Sequence, residues 1–214
     1  MAGTPVSTFL ANLYLRHMDA EFYKKNIPYA RYSDDIILFA PTEAQLQIHI
    51  HMIRTILAQS GLEINPAKES FTKPGEKWVF LGVSYQNGVI DVAPASVDKI
   101  KAKMRRKTRA LRRWASRNHL PGDRAAKAFI RVFNRKLFQA ESDHELTWAK
   151  WFFPLITTAD SLHTIDLYAQ SCIRYLATGK HTKSTYNFRY EDMKALGYIS
   201  LVNAYYRHRN GLDI

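Results

Sequence analysis

The sequence has a single cysteine in 214 residues, Cys172, so no intramolecular disulfide can form. That usage fits a reducing cytoplasm, and Cys172 lies in an apolar helical pattern as a small buried hydrophobe would. No apolar run approaches the roughly 18 residues that a membrane span needs. The N-terminus lacks the basic-then-apolar layout of a signal peptide. Neither an internal repeat nor a low-complexity tract is present. Acidic residues are scarce in one half only. Residues 99–214 carry 9 Asp/Glu against 23 Lys/Arg (net +14), whereas residues 1–98 carry 10 against 8 (net −2). A basic surface kept for solubility mixes its signs. This polarity instead reads as a phosphate-binding half joined to an acidic half. With 46% hydrophobic residues the chain has enough apolar content to fold.

What the acidic half offers is Tyr32-Ser33-Asp34-Asp35, inside the run Tyr29-Ala30-Arg31-Tyr32-Ser33-Asp34-Asp35-Ile36-Ile37-Leu38-Phe39-Ala40. Apolar and aromatic residues on both sides of a tight polar pair predict strand, turn, strand, with the acids at the hairpin tip. Adjacent carboxylates repel unless a cation lies between them, and hard oxygen donors suit Mg²⁺ or Mn²⁺. An Asx turn would use the same residues with no metal.

The remaining pattern is coarse. A helix capped by Ser7 or Thr8 is expected to run to about Tyr23, with Phe9, Leu10, Leu13 and Tyr14 on its apolar side. Thr42-Glu43-Ala44-Gln45 reads as a capping box, opening a helix with Leu46, Ile50, Ile53 and Leu57 inward and Gly61 at its end. Leu62–Asn65 and Trp78–Val83 read as strands, and Asn87-Gly88 as a two-residue hairpin turn. The composition shifts at Pro94-Ala95-Ser96, after which strands vanish. Val97, Ile100, Met104, Leu111 and Trp114 form one stripe of a helix. The rest of its surface, from 99 to 117, holds Lys99, Lys101, Lys103, Arg105, Arg106, Lys107, Arg109, Arg112, Arg113 and Arg117, with no acid. Pro121-Gly122-Asp123 breaks it, a second basic helix spans about Arg124 to Gln139, and an aromatic-rich helical segment spans about Glu145 to Ala177. The tail from Lys180 to Arg209 mixes tyrosines with cations, which suits either stacking on single-stranded RNA or a docked terminal helix. His49 and His51 are two apart, on different helix faces, and make a poor metal pair.

Four segments in order resemble bacterial reverse transcriptases of the group II intron, retron and defence-associated kind. They are the loop-plus-helix segment Gly3-Thr4-Pro5-Val6-Ser7-Thr8-Phe9-Leu10-Ala11-Asn12-Leu13-Tyr14-Leu15, the Tyr32-Ser33-Asp34-Asp35 hairpin, Gly61-Leu62-Glu63-Ile64-Asn65-Pro66-Ala67-Lys68, and Phe80-Leu81-Gly82. The resemblance implies an α+β fold: half of a polymerase palm, a small antiparallel sheet with helices on one face, followed by an all-helical thumb. It implies a partial palm over 1–93, basic thumb helices over 94–140 and a helical extension over 141–214. Asp34 and Asp35 become metal ligands and catalytic residues. Lys68 becomes the acid that protonates pyrophosphate, or remains a surface lysine. Gly3, Pro5, Ser7 and Tyr32 would meet nucleotide and template, although Gly3 and Pro5 equally suit the start of a helix. Phe80, Leu81 and Gly82 would grip the primer, and Lys99, Lys103, Arg105, Arg106, Arg109, Arg112, Arg113 and Arg117 would lie along the duplex.

The implied partners are an RNA template, a DNA primer or RNA–DNA hybrid, and dNTPs, with Mg²⁺ or Mn²⁺ as cofactor, in a bacterial cytoplasm and away from membranes. Two departures stand out. Ala2 stands where the family has Gln before Gly3. The family also has a further catalytic Asp on a strand preceding all four segments. The expectation is therefore a C-terminal palm-and-thumb portion whose fingers lie elsewhere in the same or another chain, and which is inactive alone. A non-catalytic RNA-binding module, or a defence enzyme making DNA without a conventional template, would share these features.

Overall fold

The structure, a computed structural model, describes residues 5–139, 146–180 and 182–212, without the side chains of Pro5 and Thr8. The fold is α+β, with two small antiparallel sheets and, among the described residues, eight α-helices. The chain forms two compact units, Met1–Pro74 and Gly75–Ile214.

In the first unit α1 (Pro5–Lys24) leads into a hairpin of β1 (Tyr29–Tyr32) and β2 (Asp35–Leu38), then α2 (Glu43–Gln59). Proline at the first helical position has no N–H to leave orphaned. Ser7 consequently lies within the first turn rather than capping it. The strands pair Tyr29 with Leu38, Ala30 with Ile37, Arg31 with Ile36 and Tyr32 with Asp35. Alternation puts Tyr29, Arg31, Ile36 and Leu38 on one face. Tyr29, Ile36 and Leu38 pack with Leu15, Met18 and Phe22 of α1 and Ile53, Ile56 and Leu57 of α2. Phe22 stacks on Tyr29 with ring centroids 4.5 Å apart.

The apolar side expected for α1 is the wrong one. Phe9, Leu10, Leu13 and Tyr14 are exposed, and the core takes Leu15, Met18 and Phe22. Residues 15, 18 and 22 share a helical stripe at i, i+3 and i+7, and this stripe meets the hairpin. In α2 the Thr42 half of the expected capping box forms, with Thr42 Oγ1 accepting from Gln45 N at 3.2 Å, while the Gln45 side chain meets Thr42 Oγ1 rather than its backbone N–H. Gly61 turns left-handed (φ 67) beyond its end. The expected strand Leu62–Asn65 forms no ladder. Leu62 N instead bonds back to Leu57 O at 2.8 Å, closing the helix end.

The second unit opens with a meander of β3 (Trp78–Phe80), β4 (Val83–Gln86) and β5 (Val89–Val92). Both turns place two residues at positive φ: Leu81 (48) with Gly82 (84), and Asn87 (49) with Gly88 (83). This backbone hand matches strand twist in two-residue hairpins. β1–β2 and β3–β4–β5 are the two antiparallel sheets.

Then come α3 (Pro94–Arg117), α4 (Gly122–Phe138), α5 (Trp148–Phe152), α6 (Asp160–Thr178), α7 (Tyr190–Ala195) and α8 (Leu201–Arg209). The expected segment 145–177 is two helices, since Pro154 cannot continue α5. α3 buries Val97, Ile100, Met104, Thr108, Leu111 and Ala115, while Trp114, expected in that stripe, is 43% exposed. Ala115, one position on, falls in the seam. α4 contributes Ala125, Ala126, Phe129, Ile130, Phe133 and Leu137, and α6 packs against both α3 and α4. The β-meander is tied on by Asp91, whose Oδ2 accepts from Ser161 N (3.2 Å) and Ser161 Oγ (2.7 Å) at the start of α6.

Asp166 is 5% exposed yet fully used. It accepts from Tyr198 Oη, Ser200 Oγ, Leu201 N and Val202 N at 2.7–3.1 Å. A carboxylate at this helix start satisfies the free N–H groups of α8. α8 docks through Leu201, Val202, Ala204 and Tyr205, with Tyr205 Oη donating to Ile156 O at 3.0 Å. Of the two readings of the tail, this is the docked helix.

Gly122 begins α4 where a Cβ would overlap the carbonyl oxygens of Leu176 and Ala177 at the end of α6. Backbone, not a flexible tip, would have to move. Gly122→Ala is expected to destabilise the second unit by about 1–3 kcal/mol. That lowers its melting temperature by several degrees, by roughly 2–4 °C per kcal/mol. An unchanged thermal denaturation midpoint would contradict this packing.

Candidate functional site

Two features of different sign qualify, and each is built by its own unit. The first is the β1–β2 tip. The turn residues are Ser33, left-handed at φ 57, and Asp34. Asp34 and Asp35 are both exposed, and neither makes an ion pair among the described residues. Alternation puts Tyr32, 58% exposed, and its partner Asp35 on the face away from α1. The tip thus presents two unpartnered carboxylates and a phenol to solvent.

The tip is anchored from behind by residues the sequence reading did not single out. The Arg31 side chain is only 5% exposed. Its Nε donates to Asp19 Oδ1 (2.9 Å) and its Nη2 to Asp19 Oδ2 (2.6 Å), a fork-on-fork pair. Nη1 donates to Asn12 Oδ1 (3.1 Å) and to the carbonyl oxygen of Ser33 (2.9 Å). Tyr29 Oη donates to Asp19 Oδ1 at 2.8 Å. The Arg31 hydrogen bonds hold the Asp19 carboxyl below the ordinary carboxylate range. Burial, and then the bond to Asp19, pushes the Tyr29 phenol up. A depressed carboxyl contributes stability above its unfolded pKa and loses it as pH falls through the folded value. The anchor is therefore intact at neutral pH. The available signal was parity: Arg31 occupies a core-facing strand position, where a cation needs a partner.

The other expected residues fall as follows. Gly3 lies outside the described residues. Pro5 opens α1, and Ser7 is half-exposed in its first turn. Lys68 ends a 3₁₀ turn, Pro66–Lys68, capped by Asn65 Oδ1 accepting from Ala67 N (3.0 Å). It is exposed, with no ion pair to Asp34 or Asp35. Phe80, Leu81 and Gly82 form the β3–β4 turn in the second unit. A Cβ at Gly82 would meet Ser96 Oγ at 3.0 Å and the Phe152 ring at 3.4 Å, so its close approach is to α3 and α5. Among the described residues no group of three or more His, Cys, Asp or Glu could hold a metal. No described helix is long and apolar enough to cross a membrane.

The second feature is α3. Lys99, Lys103, Arg105, Arg106, Arg109, Arg113 and Arg117 are exposed, and none is in an ion pair among the described residues. Lys99, Lys103, Arg106, Arg113 and Arg117 are spaced four, three, seven and four apart, one stripe along about 27 Å of helix. Arg112 is half-buried with its guanidinium 5.9 Å from the Tyr175 ring, and Lys101 lies 5.3 Å from the Tyr168 ring. Those two face α6, and the others face solvent. α4 adds exposed Arg124, Lys127, Arg131 and Arg135 at i, i+3, i+7 and i+11.

One unit thus carries an exposed acidic hairpin tip, and the other a helix whose stretch 99–117 holds ten cations and no acid. Residues 2–85 match the family model of the reverse transcriptase (RNA-dependent DNA polymerase). The matched stretch contains the whole Asp34–Asp35 hairpin and stops before the basic helices. The chain is also similar to an enzymatic polyprotein of Cassava vein mosaic virus, 39% identical over 72 residues. That alignment covers 34% of this chain and 11% of the polyprotein, so the chain spans a small part of that relative. The similarity to the reverse transcriptase family covers residues 2–85, less than half of the chain.

Proposed function

We propose that this chain is the C-terminal palm-and-thumb portion of a bacterial-type RNA-directed DNA polymerase: partial palm over 1–93, basic thumb helices over 94–140, helical extension over 141–214. The observation that carries the reading is the exposed, unpaired Asp34–Asp35 couple on a two-residue turn inside the stretch that matches the reverse transcriptase family. The donors fit Mg²⁺ or Mn²⁺. Mg²⁺ is commonly held by one or two carboxylates while water and substrate phosphates complete its shell. When bound, such an ion lowers the barrier to phosphoryl transfer by neutralising charge and activating the attacking oxygen.

The chain's own residues do the rest in this reading. Asp34 and Asp35 supply carboxylate oxygens to the ion. Tyr32, on the same face as Asp35, packs beneath the primer terminus. Lys68 donates a proton to departing pyrophosphate. Gly3, Pro5 and Ser7 shape the site for template and incoming nucleotide, and Phe80, Leu81 and Gly82 hold the primer strand. The exposed cations of α3 take phosphates of an RNA or RNA–DNA duplex without reading sequence. The partners are an RNA template, a DNA primer, dNTPs and an N-terminal finger-and-palm portion carried in the same or another chain. The setting is a bacterial cytoplasm.

One observation favours a second reading, a non-catalytic RNA-binding module: the tip offers two carboxylates and the described residues supply no third acid beside them. An RNA template–primer assay separates the two. The 214-residue chain alone is expected to bind duplex and, with Mg²⁺ and dNTPs, to give no primer extension. Adding the finger-and-palm portion restores incorporation. Extension by the chain alone, with contaminating polymerase excluded, contradicts the incomplete-palm reading. Binding without any restored incorporation favours the module.

A further inference from the structure

The strands alone do not fix the turn that carries Asp34 and Asp35. A two-stranded hairpin is marginal in water, and among the described residues no other strand pairs with β1 or β2. Ser33 holds a left-handed φ of 57, which costs a side-chain-bearing residue roughly 1–2 kcal/mol. The two carboxylates beyond it repel, which pushes the tip towards other conformations.

One side chain meets that demand. Arg31 is buried against α1 with both faces of its fork on Asp19, and its remaining terminal nitrogen bridges Asn12 and the Ser33 carbonyl. It makes no ion pair with Asp34 or Asp35 among the described residues, so it does not compete with a cation for them. We infer that Arg31 is a positioning residue: anchored on Asp19 and Asn12, its guanidinium holds the Ser33 carbonyl and so fixes the turn from which Asp34 and Asp35 project. The inference rests on the cation-site reading of that pair. Lysine cannot substitute, because one ammonium nitrogen cannot span Asp19, Asn12 and the Ser33 carbonyl in a planar fork.

The experiment uses the ¹⁵N-labelled chain and two variants, Arg31→Lys and Asn12→Ala. Three things are read: backbone order parameters at Ser33, Asp34 and Asp35, Mn²⁺-induced broadening of the Asp34 and Asp35 amides, and the Met18 and Ile36 methyl shifts as a report on the core. In the parent the turn should be as ordered as the strands, with order parameters of about 0.85, falling below about 0.6 in Arg31→Lys. Mn²⁺ binding should weaken about tenfold, as when the partners that orient metal ligands are lost. The methyl shifts should stay at parent values. Asn12→Ala should move the same readouts part of the way, and it decides the matter if Arg31→Lys fails to fold.

An unchanged turn and unchanged Mn²⁺ binding in both variants overturn the inference. So does loosening of turn and core together in both, which marks Arg31 as a general stabiliser. A parent without Mn²⁺ broadening at Asp34 and Asp35 removes the cation reading. A turn that still loosens selectively in Arg31→Lys then upholds the positioning role.

Discussion

Replacing Arg105, Arg106, Arg109 and Arg113 with Gln is expected to weaken binding of RNA or RNA–DNA duplex by roughly a hundredfold or more at about 0.1 M salt. All four side chains are exposed on α3, and no described acid neutralises them. A cation that displaces a counterion from a phosphate contributes about one unit to the salt slope, so the slope should flatten by up to about four. The loss should be similar for unrelated sequences, because phosphate contacts position without specifying. Folding should be unaffected, since the buried stripe of Val97, Ile100, Met104, Thr108, Leu111 and Ala115 is untouched. Anisotropy titrations at two or more salt concentrations measure both quantities. Parent-like affinity with an unchanged slope would remove α3 as the duplex-binding element and turn attention to the cations of α4 and the tyrosine–arginine tail.

α3 and the turns at Ser33-Asp34 and Asn87-Gly88 were legible because local chemistry decides them, whereas Trp78–Val83, expected as one strand, turns at Leu81 and Gly82. Asn87-Gly88 suits only a narrow range of turns, and Thr42 with Gln45 three residues on caps one helix. A stripe at helical spacing surrounded by cations leaves one face to bury. α1 was not legible, because it is apolar on more than one side. Sequence alone does not say whether Phe9 and Leu13 or Met18 and Phe22 meet the hairpin. The β1–β2 register, which brings Tyr29 onto Phe22, makes that choice. Trp114 was misassigned for a similar reason: it lies one position from Ala115, and the seam admits the smaller residue.

At the candidate site the pattern runs in parallel. Asp34 and Asp35 are visible in sequence because a polar pair between two apolar runs marks a hairpin tip. Asp19 and Asn12 are invisible there, 12 and 19 residues from Arg31 and ordinary as surface types. They meet it only because α1 crosses behind the hairpin. Strand alternation turns Arg31 inward, but nothing local signals that Asp19, Asn12 and the Ser33 carbonyl are its acceptors. Likewise, nothing in the sequence places Ser96 and Phe152 beside Gly82.

Asp34→Asn in the full polymerase is expected to bring nucleotide incorporation down to background. The substitution keeps size and turn chemistry, since Asn tolerates the same conformations, but it removes one of two charges that would hold the ion. Phosphoryl transfer depends on positioning and charge neutralisation far more than on covalent help, so losing that charge acts on the chemical step itself. Duplex binding through α3 should remain at the parent level, because Asp34 and α3 belong to different units. The decisive measurement is template-dependent dNTP incorporation on an RNA template by the full polymerase, parent against Asp34→Asn, at saturating Mg²⁺ and equal duplex occupancy. The account predicts extension by the parent and none above background by the variant. Extension by Asp34→Asn at the parent's rate would contradict it.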